Sequence, residues 1–191
     1  MTRRVVVASK NTDKVSEVEA VLDLVGGFEV VRSLDWPDVD ETEDTLEGNA
    51  LLKARAVAVA TGIDTIADDT GLEVAVLGGA PGVITSRYAG PNASYADNIA
   101  KLLAALEGAA DRRARFRTVV ALVATDGTEM VVEGVLEGRI ADEPRGAGGF
   151  GYDPVFETDG LTLAEIPESV KNRISHRALA LHALAARIDR S

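Results

Sequence analysis

The chain has 191 residues, 46% hydrophobic and 27% charged, a soluble globular balance that excludes disorder and allows one domain with a proper core or two closely joined lobes. It contains no cysteine, which excludes disulfides, thiolate metal sites and cysteine nucleophiles and fits a reducing cytoplasm. Its net charge of −11, from 31 acidic and 20 basic residues, disfavours nucleic-acid polymers and anionic membranes as partners, although a small polyanion can bind where a metal and a few cations offset the field.

Arg3 and Arg4 precede an apolar run at 5–8 that is too short for a signal-peptide core, and the longest apolar stretch, 119–124, is strand-sized, so no membrane span is expected. Residues 5–8 read as a buried strand, followed by the polar loop Ser9-Lys10-Asn11-Thr12-Asp13-Lys14. Val15, Val18, Val21, Leu22 and Val25 recur at helical spacing, and Gly26-Gly27 ends that helix. A short strand at 28–31 leads to an acidic loop at 35–44 carrying Asp38, Asp40, Glu41 and Glu43. Asp44-Thr45-Leu46-Glu47 resembles a capping box that opens a helix running to about residue 61. Residues 65–67 predict a strand ending at Asp68-Asp69, with a further extended segment through Leu72, Val74 and Val76 before the turn Gly78-Gly79-Ala80-Pro81-Gly82. Ser94 and Asp97 cap a helix with Ile99, Leu102, Leu103 and Leu106 on its apolar face. A long hairpin over 116–124 and 129–140 turns at Asp126-Gly127, a glycine-rich loop spans 146–154, and a last helix starts at Ser175. Early alternation of strands and helices followed by a hairpin predicts a mixed α/β sheet flanked by helices.

Four constellations carry chemistry. Ser9-x-Asn11-x-x-Lys14 joins a strand to a helix N-terminus, where backbone N–H groups favour anions and Lys14 is unfavourable unless an anion is present. It reads either as a phosphate site or as a solvated lysine after a cap. Asp68-Asp69-Thr70-Gly71 lies at the carboxyl end of an apolar strand, where open α/β sheets place ligands. Adjacent strand residues face opposite ways, so one acid can hold Mg²⁺ or activate water while the other bonds the backbone; a plain turn closed by Gly71 is the alternative. Asp40 and Glu41 are candidate partner carboxylates for the metal, and Asn49 and Lys53, four apart on one helix face, can reach the same place or form an exposed pair.

The glycines around Phe150 in Gly148-Gly149-Phe150-Gly151-Tyr152-Asp153-Pro154 let the backbone approach a flat ligand, with Phe150 either stacked on a base or buried in the core. In Lys171…Ser175-His176-Arg177, His176 and Arg177 place donors in a helix first turn that favours acids, so a ligand carbonyl would supply the missing partner unless both side chains are simply exposed. Of the five lysines, Lys10, Lys14, Lys53 and Lys171 fall in these motifs, as expected of compact charges that meet phosphate.

The order Ser9 to Lys14, Glu47-Gly48-Asn49-Ala50-x-x-Lys53-Ala54, Ala67-Asp68-Asp69-Thr70-Gly71-Leu72, Gly78 to Val83, Ser86-Arg87-Tyr88, Gly148 to Phe156 and Ile174-Ser175-His176-Arg177 closely resembles the inosine/xanthosine triphosphate pyrophosphatase family, across about residues 4–188. The resemblance implies one pyrophosphatase domain over 1–191, with two lobes around a substrate cleft, a homodimer and Mg²⁺. It implies hydrolysis of ITP, dITP and XTP to the monophosphate and pyrophosphate. By the same resemblance, the motif Ser9, Lys10, Asn11, Thr12, Asp13, Lys14 and the lysine Lys53 contact phosphates, with Lys10 either adding a contact or facing solvent, Asn49 and Thr70 bind substrate, and Asp69 is general base and metal ligand, with Glu41 or Asp40 helping. Phe150 stacks on the base with Gly151, Tyr152 and Asp153 beside it, and Lys171, His176 and Arg177 read its edge. The chain departs from the family pattern in having Lys10 where glycine is frequent, Thr70 for serine, and Gly48 for glutamate, so no metal-linked role of that glutamate carries over. A pyrophosphatase for standard or pyrimidine nucleotides and a non-catalytic nucleotide-binding protein are the alternatives.

Overall fold

The computed structural model describes residues 2–190. Strand β1 (Arg3–Val7) passes through the polar loop into helix α1 (Thr12–Val25), which returns to β2 (Phe28–Val30), parallel to β1 with Arg3 opposite Phe28. Asn11 caps α1 by accepting from the Asp13 and Lys14 amides, and Gly26, in a positive-φ conformation, closes it. Helix α2 (Leu46–Thr61) leads to β3 (Thr65–Val74), again parallel to β1, with Val6 opposite Thr65. The remaining strands and α-helices are β4 (Pro81–Gly82), α3 (Tyr95–Ala105), β5 (Arg113–Val123), β6 (Glu129–Ile140), β7 (Phe156–Thr158), β8 (Leu161–Thr162), α4 (Glu168–Ile174) and α5 (His176–Ile188), with short 3-10 turns at Ala75–Leu77 and Thr85–Arg87. One eight-stranded mixed sheet has the order β2-β1-β3-β5-β6-β7-β8, with β4 antiparallel on β3.

Three boundaries differ from the expectation. The strand at Thr65 does not stop at Asp68-Asp69 but runs on to Val74, so the two acids lie inside a strand and not in a turn. The α2 cap is Thr45, whose Oγ1 accepts the Gly48 amide; the third helical position is then a glycine, which has no side chain to complete a capping box. Helix α4 and strands β7 and β8 were not anticipated, because each is too short to show a period. The expected box at the start of α3 is present, with Ser94 and Asp97 each bonding the other's amide.

The chain divides into two compact units. The first comprises residues 1–69, 118–134 and 176–191, and its core sets Val18, Val21 and Leu22 of α1 and Leu181 and Leu184 of α5 against Val5, Val7, Ile66, Val120 and Leu122 of the sheet. The second comprises 70–117 and 135–175, with Leu72, Val74, Leu102, Leu106, Phe116, Ile140, Phe156 and Leu163 in its core. Among the described residues no helix is long and apolar enough to cross a membrane.

Within the first unit, α5 lies almost flush on β6 because residue 134 is glycine. A Cβ there would stand 2.1 Å from the His176 carbonyl oxygen and 2.4 Å from the Ala180 nitrogen, both backbone atoms that cannot turn away. Gly134→Ala is therefore expected to destabilise the chain by about 3 kcal/mol, the upper part of the overpacking range. Urea unfolding should show a lower midpoint at an unchanged slope.

Candidate active site

The strand geometry gives the two central acids different surroundings. Asp68 and Asp69 are both buried in β3, and successive side chains of a strand project to opposite faces. Asp68 meets cations: Lys14 Nζ stands 3.5 Å from its Oδ2, and Arg177 donates to the same oxygen from Nε at 3.2 Å and from Nη2 at 3.1 Å. Burial alone would push the Asp68 carboxyl up, but Lys14, Arg177 and Lys53 outweigh it and hold the group well below the usual carboxylate range. Asp68 is thus a fixed anion. It also answers the question raised by Lys14, whose unfavourable place in the first turn of α1 is offset by this carboxylate.

Asp69 has a different set of neighbours. Asn49 Nδ2 donates to its Oδ2 at 3.2 Å, and Lys53 Nζ is 3.8 Å from its Oδ1. Lys53 also donates to Glu41 Oε1 at 2.6 Å and to the Asp68 carbonyl at 2.7 Å. Burial pushes the Asp69 carboxyl above its ordinary value, with Lys53 opposing and the nearby Glu41 charge adding to the rise. Burial also works against the Lys53 charge, yet Asp69, Asp68 and Glu41 together raise its pKa, so the ammonium stays protonated among three acids.

Asn49 and Lys53 are therefore not an exposed pair. Asn49 is fully buried, accepts the Glu43 amide and donates to the Glu43 carbonyl, which ties the acidic loop to α2. That tether brings Glu41 to Lys53 and leaves Asp40 exposed, facing a cavity of about 360 Å³ lined with Trp36 and α2 side chains. Gly48 is required for this arrangement, since a Cβ there would meet Glu43 Cβ at 2.7 Å. Glu41 and Asp69 offer hard oxygen donors of the kind Mg²⁺ takes, so the donor set fits that ion. Among the described residues no group of three or more histidines or acids is arranged to hold a metal unaided. An ion here would complete its shell with water and phosphate oxygens, as Mg²⁺ commonly does.

The loop at 9–14 presents a helix N-terminus. Ser9 Oγ accepts the Asn11 amide at 3.2 Å, Thr12 and Asp13 are exposed, and Lys10 bonds Asp38 at 2.5 Å on the surface. Thr70 is half-buried in β3 directly after Asp69.

His176 and Arg177 correct the expectation of a missing partner or an exposed pair. Both are buried; His176 Nδ1 pairs with Thr118 Oγ1 at 2.5 Å, and Arg177 is held by Asp68 and, from Nη1, by Glu17. Two protein carboxylates supply what the helix dipole does not. Glu17 was not singled out from the sequence, although an acid four residues before Val21 on the apolar face of α1 breaks the amphipathic pattern and was a usable signal.

In the second unit, Phe150 stands between Gly149 and Gly151, both in positive-φ conformations. A Cβ at Gly149 would lie 2.0 Å from Asp153 Oδ2, so only glycine lets that carboxylate reach back to the Phe150 amide, 2.9 Å away. Asp153 also accepts from Lys171 Nζ at 2.5 Å, and that ammonium is 5.0 Å from the Phe150 ring centroid. Phe150 is half-buried, whereas Tyr152 packs in the core and donates its hydroxyl to the Thr85 carbonyl at 3.0 Å. Lys171 thus joins Phe150 and Asp153 in the second unit, while His176 and Arg177 join Asp68 in the first.

Comparison with known proteins agrees over nearly the full length. A dITP/XTP pyrophosphatase of Methylococcus capsulatus is 48% identical, covering 98% of this chain and 97% of its own, and one of Bacillus licheniformis is 45% identical, covering 99% and 100%. The solved structure of a HAM1 protein from Coxiella burnetii superposes with a TM-score of 0.88 at 41% identity, covering 100% of both chains, and that of the Staphylococcus aureus Ham1 protein with 0.83 at 38%, covering 98% of both. Since the family model described as the Ham1 family also matches residues 5–187, the chain belongs to the Ham1 family.

Proposed function

We propose that the protein hydrolyses deaminated purine nucleoside triphosphates (ITP, dITP and XTP) to the monophosphate and pyrophosphate, removing them from the nucleotide pool. The observation that carries this reading is the division of labour at β3. One buried acid is neutralised by Lys14 and Arg177, and its neighbour, raised in pKa, faces Lys53, Asn49 and Glu41. A carboxylate whose pKa is lifted by burial is a better proton acceptor than a solvated one. Asp69 orients a water molecule and takes its proton as the water oxygen bonds to the α-phosphorus. The α–β bridging P–O bond breaks and pyrophosphate departs with the bond's electron pair.

Lys14, Lys53 and the amides at the α1 N-terminus, with Ser9, Lys10, Asn11, Thr12 and Asp13 around them, hold the triphosphate and offset the charge on the leaving group. Glu41 and Asp69 would hold Mg²⁺, and the ion would supply neutralisation of phosphate charge and polarisation of the P–O bonds. Phe150 stacks on the base. Lys171, whose ammonium lies 5.0 Å from the Phe150 ring centroid, carries N–H donors, which suit a 6-oxo purine and disfavour the 6-amino group of adenine. The enzyme works in the cytoplasm as a homodimer.

The test is incubation with ITP, XTP, GTP and ATP in Mg²⁺, with pyrophosphate and orthophosphate measured separately, and again after EDTA treatment. ITP and XTP should release pyrophosphate alone, ATP should be slower by roughly 10⁴-fold as expected for a donor-lined site, and EDTA should abolish turnover. Release of orthophosphate, or equal rates on ATP and ITP, would reject the assignment.

A further inference from the structure

The acidic loop at 35–44 has six acids and no basic residue in ten positions, so its charges repel one another and need cations from elsewhere in the chain. Apolar packing fixes it incompletely. Trp36 and Val39 of the loop and Leu52 and Val59 of α2 line the cavity of about 360 Å³ instead of closing on one another. Polar ties do the holding. Asn49 binds both backbone groups of Glu43, and Lys53 binds the Glu41 carboxylate. Both ties act at residue 41 or after it.

Before Glu41 the tie is Lys10, whose Nζ donates to Asp38 Oδ1 at 2.5 Å. Lys10 stands on firm ground. The Ser9 amide on one side is bonded to the Val7 carbonyl at the end of β1, and Asn11 on the other side caps α1 with its side chain. Asp38 lies three residues before Glu41 and Glu43 lies two after it, so the chain around Glu41 is pinned at both ends. Lys10, the acidic loop, Asn49, Lys53 and Asp69 all belong to the first unit.

We propose that Lys10 is a positioning residue for Glu41: its ion pair with Asp38 straps the acidic loop to the start of α1 and so places the Glu41 carboxylate for Mg²⁺. The Lys10 ammonium serves the loop, and Lys14, Lys53 and the helix amides serve the phosphates. The strap rests on Glu41 being a metal ligand, and the experiment separates the two claims.

The wild type is compared with Lys10→Ala, Asp38→Asn, the two combined, and the charge exchange Lys10→Asp with Asp38→Lys. Hydrogen exchange at the Glu43 amide is followed by NMR in metal-free protein, and the Mg²⁺ concentration for half-maximal ITP hydrolysis is measured with Glu41→Gln as the reference. Each single substitution should speed exchange about twofold to fivefold, the range of an exposed ion pair, and raise half-saturating Mg²⁺ by a similar factor. The combined variant should be no worse than either single one, since both remove the same interaction. The charge exchange should return the amide to near the wild-type rate. A rise in half-saturating Mg²⁺ for Lys10→Ala with none for Asp38→Asn would assign the ammonium to phosphate and overturn the strap, as would unchanged amide exchange in both. Unchanged half-saturating Mg²⁺ in both, beside a rise in Glu41→Gln, would overturn the positioning role and keep Glu41 as a ligand. No rise in Glu41→Gln would overturn the ligand and the strap's purpose together.

Discussion

Replacing Asp69 with asparagine should lower kcat by roughly 10²–10⁴-fold, the contribution typical of a positioned general base, while the protein stays folded. The substitution keeps shape and most polar contacts. Asn49 Nδ2, 3.2 Å from Asp69 Oδ2, still finds an oxygen if the new amide is oriented with its carbonyl toward it. What disappears is the proton acceptor and one of the three acids around Lys53. Because Glu41 and Asp68 remain beside that lysine, the ammonium stays paired and the thermal midpoint should move little. Asp68→Asn should behave differently: its partners are Lys14 and Arg177, so its loss leaves buried cations under-neutralised, and stability falls together with activity. Turnover of Asp69→Asn within about threefold of wild type would reject the general-base role, since a positioned base is worth far more than that.

The pattern of what the sequence disclosed follows from the range of the interactions. Local devices were legible. The Asn11 cap, the Ser94–Asp97 box, the glycine stop after α1 and the hairpin turn at Gly127 each depend on residues within a few positions of one another. The opposite facing of Asp68 and Asp69 was also legible, because side-chain alternation is a property of the strand itself. The continuation of β3 through Thr70-Gly71 was not. Local propensity favours a turn there, and the strand persists because Leu72 and Val74 enter the core of the second unit, with the Leu72 amide bound to Thr85. The partners of Arg177 were beyond reach for the same reason, since Glu17 lies 160 residues away and Asp68 lies 109. That Glu41 and not Asp40 lies beside Lys53 depends on the tether from Asn49 to Glu43, which only the folded loop reveals.

Arg177→Ala should be among the most destabilising substitutions in the chain, costing about 3–5 kcal/mol, as expected when one member of a buried ionic group is removed and the rest stay charged. The Arg177 side chain is 2% exposed and joins two carboxylates that are nearly as inaccessible, Glu17 at 6% and Asp68 at 2%. Without the guanidinium, Asp68 keeps Lys14 at 3.5 Å, but the Glu17 contact with Arg177 is lost inside the first unit's core. For a chain of this size each kcal/mol lowers the melting midpoint by about 2–4 °C, so the expected fall is roughly 6–20 °C. Glu17→Gln should cost less, about 1.5–3 kcal/mol, because the amide oxygen still accepts from Arg177 while the charge is gone. The exposed Arg55–Glu129 pair is the control. Its Nε–Oε1 distance of 2.6 Å is short, yet Arg55→Ala should change stability by no more than about 1 kcal/mol, since solvent screens the pair. Calorimetric melting of these three variants ranks burial against distance directly. A loss under about 1 kcal/mol for Arg177→Ala would mean that Glu17 and Asp68 find other partners or take up protons, and the fixed-anion role of Asp68 beside Asp69 would go with it.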